Sequence, residues 1–392
     1  MIEEDCKVQG FEDIAPLSGL RAQEAMVALR ESRDWVGDLS RLIPSDRAER
    51  VVESWRNIEH VDHFQSYVVK PFLDALIEET TSGVTWEGVE ESMEQGMLFL
   101  SNHRDIVLDP SLINVALMES GRMPTEIGIG SNLLASEWIR DLVRLNRCFV
   151  VQRSGSPRER LYHSLRTASY IRHAIHRGDA VWLAHREGRA KDGIDLTAPA
   201  LMRTLSEGCQ KDVWNSLNVV PVSISYEWDP CDAMKVHELL TKERFGHYVK
   251  QQGEDELSMW TGLVGYKGRV CLHFGSILDW KTDSDSKKPE RDMARLFDMQ
   301  MHAGMKIWPN QRLSCEFLGL KETSSSQTST EPVSEEDRRE WRNRMNSVVG
   351  QLQGRGWSDE EIQRKWCEIS SGPCRSIGSL QGEHGHGNGT CD

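Results

Sequence analysis

One histidine and two carboxylates stand within seven residues, directly after the apolar run 97–100. They are His103, Asp105 and Asp109. A histidine held by a carboxylate is a simple general base near neutral pH, because the carboxylate fixes the imidazole tautomer and stabilises the imidazolium. Either acid could orient the ring. We favour Asp109, since an acid on the next helix can reach back to the imidazole; capping that helix is its alternative role.

Three further polar segments lie within or after apolar runs. The run 148–151 is followed by Arg153, the run 180–184 leads into the turn 185–193, and the run 217–226 contains Pro221. The turn holds Arg186, Glu187, Gly188, Arg189 and Lys191. In a parallel sheet such strand ends share one edge, so these groups should converge on His103. A base beside several guanidinium groups suits a substrate with a hydroxyl and a phosphate, because guanidinium binds two oxygens at once.

The elements that position these residues form an α/β pattern. Strands are predicted at 97–100, 126–130, 148–151, 180–184, 217–226 and 269–274, after a short strand within 83–91. Helical patterns separate them, which predicts a mostly parallel central sheet flanked by helices.

The rest of the chain differs from this centre in composition. Residues 1–90 are predicted to form a helical N-terminal cap, with a membrane-contacting face as the less favoured alternative. Residues 91–320 are predicted to form the main domain. Residues 321–392 are predicted to hold a Ser/Thr-rich linker, short helices and a tail disordered from Ser370 onwards. His384 and His386 in that tail could bind a metal weakly, but two histidines alone cannot fill a tetrahedral shell, so a solvated tail is favoured and no metal site is expected.

Composition excludes several classes of protein. The chain has 392 residues and a formal net charge of −14, which argues against wholesale nucleic-acid binding. Its nine cysteines form no CxxC pair, and its acidic N-terminus lacks the build of a secretion signal. No stretch approaches the roughly 20 apolar residues of a membrane span. We expect a cytoplasmic protein that reaches any lipid from the water side, and leave open peripheral contact with the inner face of the membrane.

Four motifs, in this order, resemble those of the glycerol-phosphate and lysophosphatidate acyltransferase superfamily. They are Asn102-His103…Asp109, Phe149…Arg153, Glu187-Gly188-Arg189 and Val220-Pro221-Val222. The resemblance spans about 97–225 and implies an acyltransferase domain over 91–320. It also implies transfer of a fatty acyl group from acyl-CoA or acyl carrier protein to the hydroxyl of a glycerol phosphate or lysophospholipid, in phospholipid biosynthesis, with no cofactor.

The resemblance also implies roles for single residues. His103 and Asp109 would be catalytic, and the substrate would be bound by Arg153, Glu187, Gly188, Arg189 and Lys191. Two departures stand out. Five residues separate His103 from Asp109, where the family usually has four. The family's arginine is expected at position 190, where this chain has alanine, so Arg189 or Lys191 must replace it, with Arg186 as a further candidate.

These departures keep two other functions open. One is a catalytically silent lipid-binding or scaffold protein on the same fold. The other is an acyltransferase that acts on a different hydroxylated lipid.

Overall fold

Seven strands form one mixed sheet in a computed structural model of the chain, which describes residues 10–89, 96–134, 136–281, 286–320 and 332–382. The strands are β1 (Gly83–Glu87), β2 (Leu98–Ser101), β3 (Glu126–Gly130), β4 (Cys148–Val151), β5 (Val181–Ala184), β6 (Val219–Tyr226) and β7 (Arg269–Phe274). Their order is β1-β7-β6-β2-β5-β3-β4, and β6–β7 is the antiparallel pair in it. The predicted α/β fold is confirmed.

Helices cover both faces of this sheet. The described α-helices are α1 (Gly19–Glu31), α2 (Trp35–Leu39), α3 (Ser45–Asn57), α4 (Lys70–Thr80), α5 (Leu108–Glu119), α6 (Glu137–Leu145), α7 (Pro157–His176), α8 (Pro199–Leu205), α9 (Lys211–Asn215), α10 (Asp232–Phe245), α11 (Glu254–Val264), α12 (Pro289–Ala303), α13 (Pro309–Phe317), α14 (Glu335–Leu352), α15 (Asp359–Ser370) and α16 (Gly372–Gly382). A π-helical turn, Gln65–Val69, precedes α4. None of the helices described is long and apolar enough to cross a membrane.

The central strands are apolar throughout because both of their faces are covered. All residues of β2 and β6 are buried. Side chains alternate between the faces, so Phe99 packs with α1, α3, α4 and α5, whereas Leu98 and Leu100 pack with α7, α8 and α12. Pro221 is tolerated inside β6 because pairing with β7 begins only at Val222.

The N-terminal helices pack against the sheet rather than forming a separate body. Met26, Trp55 and Leu76 are buried in the same cluster as Phe99. The strand β1 precedes the predicted boundary at residue 90, yet it pairs with β7 and belongs to the sheet. Residues 90–95 and most of the predicted linker, 321–331, lie outside the described residues.

The C-terminal end corrects one prediction. Disorder from Ser370 onwards is wrong for α16, where Cys374 and Ile377 are buried against the core that contains α12 and α13. Their spacing of three residues puts both on one helix face, a pattern that the surrounding glycines and serines obscure. Residues 383–392, with His384 and His386, lie outside the described residues.

Candidate active site

Asn102 fixes the point where the chain leaves β2. Its Nδ2 donates to the Ile224 carbonyl at 2.9 Å, and its Oδ1 accepts from the Ile224 N–H at 2.8 Å. Because β6 extends beyond β2, this side-chain amide takes the place of the backbone that β2 no longer offers. The next residue, His103, therefore starts from a rigid position at the edge of the sheet.

His103 contacts Asp109 in the structure. The distance from His103 Nδ1 to Asp109 Oδ2 is 2.9 Å. The same carboxylate oxygen accepts from the backbone N–H groups of Arg104 at 2.7 Å and Asp105 at 3.0 Å. The Asp109 side chain is fully buried, whereas 13% of the His103 side chain is exposed. This arrangement leaves Nε2 of the imidazole to meet a substrate.

Asp105, the other candidate for orienting His103, caps the helix instead. Its Oδ1 accepts from the N–H groups of Val107 at 2.9 Å and Leu108 at 2.8 Å, where α5 begins. Burial, with the negative charge of Asp109 nearby, raises the pKa of Asp105. The capping role considered for Asp109 thus falls to Asp105, and the contact with the imidazole falls to Asp109.

Tyr226 completes this group, and the sequence analysis missed it. Its hydroxyl donates to Asp109 Oδ1 at 2.9 Å. Burial and the adjacent Asp109 carboxylate raise the pKa of Tyr226 well above its usual value, so the hydroxyl keeps its proton and remains a donor. Tyr226 ends β6, and only the pairing of β6 with β2 brings it to Asp109. The one sequence signal for it is its place at the end of a predicted strand.

A cavity of about 500 Å³ opens beside His103. Most of its wall is apolar, and Arg153, Arg160, Arg186 and Glu187 also line it. Arg153 lies against Gly130, where a Cβ atom would come within 2.9 Å of its Nε, so glycine makes room for the guanidinium. The cavity thus joins a base, three cations and an apolar interior.

The turn after β5 divides its side chains between two environments. Arg186 and Glu187 line the cavity, but Gly188, Arg189 and Lys191 do not. The Arg189 guanidinium donates to Ser258 Oγ at 2.8 Å, and Lys191 pairs with Glu238. These contacts point Arg189 and Lys191 towards α11 and α10. A part for Gly188, Arg189 and Lys191 in substrate binding stays a prediction.

Hydrogen bonds also connect the turn after β5 to His103 and to the core. The N–H of Ala190 donates to the His103 carbonyl at 2.9 Å. At its start, His185 Nδ1 lies 3.0 Å from Thr197 Oγ1, and the N–H of Thr197 donates to Asp298 of α12 at 3.0 Å. Burial lowers the pKa of His185 well below its usual value and raises that of Asp298 to about 7.

Two helices that the sequence analysis did not predict, α10 and α11, also border the site. Ser258 of α11 holds Arg189, and Met259 lines the cavity. Gly262 packs so closely on Asp105 that a Cβ atom would collide with the carboxylate. Among the described residues, no group of three or more His, Cys, Asp or Glu side chains could hold a metal ion.

Comparisons with known proteins address the same part of the chain. The model of a family described as Acyltransferase matches residues 83–224, a range that includes His103, Asp109, Arg153 and the turn after β5. Among solved structures, the chain is similar to the 1-acyl-sn-glycerophosphate (LPA) acyltransferase PlsC from Thermotoga maritima. The two are 13% identical with a TM-score of 0.36, over 71% of this chain and 97% of that one. A search of curated protein sequences returns no match.

Proposed function

We propose that the chain is a glycerolipid acyltransferase, which the match of residues 83–224 to the Acyltransferase family model supports, and that it transfers a fatty acyl group from a thioester to the hydroxyl of a glycerol phosphate or lysophospholipid. The observation that carries the proposal is the 2.9 Å contact between His103 and Asp109 at an apolar cavity that arginines also line. The donor is acyl-CoA or acyl carrier protein, and the protein meets its lipid from the water side.

In this mechanism, His103 Nε2 takes the proton of the acceptor hydroxyl as its oxygen attacks the thioester carbonyl carbon. Asp109 holds the ring through Nδ1 and stabilises the imidazolium. The tetrahedral intermediate collapses with cleavage of the carbon–sulfur bond. The imidazolium then returns the proton to the departing thiolate, so the products are an ester and a free thiol without an acyl-enzyme.

The cations of the cavity supply recognition. Arg153, Arg160 and Arg186 come from three different segments and line one space. Phosphate oxygens accept bidentate hydrogen bonds from guanidinium groups, which fixes position as well as charge. A phosphate bound there would direct the neighbouring hydroxyl of the acceptor towards His103.

The silent-scaffold alternative rests on the two motif departures. The extra residue between His103 and Asp109 does not keep them apart, because the first turn of α5 brings the carboxylate back to the ring. The second departure, the shifted arginine, still supports this alternative, because Arg189 lies outside the cavity. The two functions differ in turnover: a scaffold binds lipid and releases no thiol.

The test is a panel of reactions read by mass spectrometry. Wild-type protein is incubated with acyl-CoA or acyl carrier protein as donor, and with glycerol phosphate, lysophosphatidate or another hydroxylated lipid as acceptor. The proposal predicts an ester product from at least one phosphate-bearing acceptor. Lipid binding without any ester from either donor would contradict it and favour the scaffold.

A further inference from the structure

A buried carboxylate outside the four sequence motifs lies beside the residue that follows His103. Asp195 comes two residues after the turn 185–193, and its side chain is fully buried. Its Oδ2 is 3.5 Å from Nε of Arg104, whose side chain is also largely buried. Asp195 and Arg104 therefore form a buried ion pair next to the proposed base.

The histidines around Asp195 do not take the place of Arg104 in this pair. His185 Nε2 is 3.9 Å from Asp195 Oδ1, and His302 of α12 lies beside the Asp195 backbone. Burial lowers the pKa of His185 well below its usual value and that of His302 to about 4, so both rings are uncharged at neutral pH. Among the described side chains, Arg104 is thus the permanent cation in contact with Asp195.

Burial of this carboxylate is unfavourable by itself. Neither of its oxygens has a hydrogen-bond partner among the described residues. Burial raises the pKa of Asp195, and the positive charges of Arg104, Lys235 and Arg186 oppose that rise. A buried ion pair adds little net stability, because desolvation opposes the attraction, but it can fix the geometry of the groups that it joins.

The backbone of Arg104 connects this pair to the base. Its N–H donates to Asp109 Oδ2 at 2.7 Å, and the same oxygen contacts His103 Nδ1. Its carbonyl accepts from Lys235 Nζ at 3.4 Å. Arg104 is therefore held at its N–H, its carbonyl and its side chain. Release of the side chain would let the N–H move away from the oxygen that orients the imidazole.

From these contacts we propose that Asp195 is a positioning residue for His103. It holds the side chain of Arg104, so that the Arg104 N–H and the imidazole meet Asp109 at the same oxygen. Asp195 does not line the cavity and touches no substrate there. Its effect on turnover rests on the proposed function, whereas its effect on the His103–Asp109 contact can be measured without a substrate.

The kinetic test is Asp195→Asn, which keeps the size of the side chain and removes its charge. We expect kcat for acyl transfer to fall by at least about tenfold, because the base is displaced from its productive position. KM for donor and acceptor should change by less than about twofold, since no residue that lines the cavity is altered. A wild-type kcat in the folded variant, or a loss confined to KM, would overturn the proposal.

Glu126→Gln is the matched control. Glu126 is also a buried carboxylate in an ion pair, with Arg177 at 2.8 Å. It begins β3, so it lies at the opposite end of that strand from the edge that holds the site. Glu126→Gln should lower the free energy of unfolding and leave kcat near the wild-type value. An equal loss of kcat in both variants would assign the effect of Asp195→Asn to general destabilisation.

A double substitution covers the case in which Asp195→Asn does not fold. Combining Asp195→Asn with Arg104→Gln removes both charges and leaves no buried charge unpaired. Because Asp195 acts through Arg104, kcat of the double variant should fall about as far as kcat of either single variant. Losses that multiply in the double variant, or a wild-type kcat in it, would contradict the proposal.

A proton NMR measurement separates this proposal from the proposed function. If wild type acylates no acceptor, the proposed function alone fails. The Nδ1–H proton of His103, hydrogen-bonded to Asp109, should give a downfield resonance that is identified by its disappearance in His103→Ala. Glu126→Gln should keep this resonance, and Asp195→Asn should lose it through faster exchange with water. An unchanged resonance in Asp195→Asn would overturn the positioning role.

Discussion

The Asp109 carboxylate is held by donors from two distant parts of the chain. His103 and the backbone N–H groups that follow it contact Oδ2, and the Tyr226 hydroxyl contacts Oδ1. A buried carboxylate needs such donors, since an unsatisfied one is costly. Asp109 is therefore fixed before the substrate arrives, and its contact with Nδ1 fixes the orientation of the His103 ring.

The Tyr226 hydroxyl should support both the fold and the reaction. Tyr226→Phe removes one donor from buried Asp109 and should lower the free energy of unfolding by about 1–3 kcal/mol. We expect kcat to fall by about tenfold, because the anion that orients His103 loses one contact. Urea unfolding and steady-state rates check both. A loss of stability with an unchanged kcat would show that Tyr226 serves the fold alone.

Two arginines of the turn after β5 form a matched pair. Arg186 lines the cavity, whereas Arg189 donates to Ser258 outside it. Arg186→Gln should raise KM for a phosphate-bearing acceptor by roughly tenfold, because a guanidinium leaves the phosphate site. Arg189→Gln should change that KM by less than about twofold. An equal rise for Arg189→Gln would instead support the assignment of Arg189 that the family motif implies.

Helix α12 anchors the start of the same turn through Asp298, which holds Thr197, the partner of His185. This carboxylate accepts from the N–H of Thr197 at 3.0 Å and from its hydroxyl at 2.5 Å. Burial raises its pKa to about 7. The folded chain thus holds a proton that the unfolded chain gives up near its usual pKa of 3.8. The stability this proton contributes is full below that value and is lost as pH rises through about 7.

Asp298→Asn should remove this pH dependence. His302 on the same helix acts with the opposite sign, since burial lowers its pKa to about 4 and its contribution is lost as pH falls through that value. Variant and wild type share the contribution of His302, so the difference between their free energies of unfolding reports on Asp298. Relative to wild type, the variant should become more stable from about pH 5 to about pH 8, measured by urea unfolding. A difference independent of pH would contradict the shift at Asp298.

The strands were predictable because their signal is local. Buried parallel strands read as short apolar runs, and the runs at 97–100 and 148–151 became β2 and β4. Helix α11 gave no such signal. It buries Ser258 and Gly262 while Leu257 and Trp260 are exposed, so its apolar side chains do not mark its packed face.

The residues of the site also fall into those with a local sequence signal and those that depend on contacts between distant parts of the chain. His103, Asp109 and Arg153 were found because each follows a buried strand within a short distance. Tyr226 lies 117 residues from Asp109, and its contact depends on the pairing of β2 with β6. Which arginine enters the cavity depends on the rotation of the turn after β5, and residue spacing does not determine that rotation.

Beyond the matched range, the C-terminal helices support the turn after β5. Arg375 of α16 donates to the Asp192 carbonyl at 3.3 Å. Gly193 has a φ of +75° and lies against the backbone of Ile369 and Gly372. These helices lie outside residues 83–224, so the turn after β5 is held in place by elements beyond the range that matches the family model.

Gly193→Ala should therefore lower the free energy of unfolding of the whole molecule. A Cβ atom at this position would collide with the Ile369 carbonyl oxygen. At Gly208, also in the left-handed region with a φ of +84°, a Cβ atom would meet open space. Gly208→Ala should carry the left-handed penalty of about 1 kcal/mol, and Gly193→Ala at least about 2 kcal/mol more. Thermal unfolding of both variants measures this, and equal losses would contradict the packing role of Gly193.

The account depends most on His103 as the base for acyl transfer. The direct measurement is lysophosphatidate-dependent release of thiol from acyl-CoA by wild type, His103→Ala and the control His176→Ala, whose imidazole is on the exposed end of α7. His103→Ala should lower kcat by about 10²–10⁴-fold, while His176→Ala stays near wild type. A wild-type rate in His103→Ala, with the variant folded, would contradict the account.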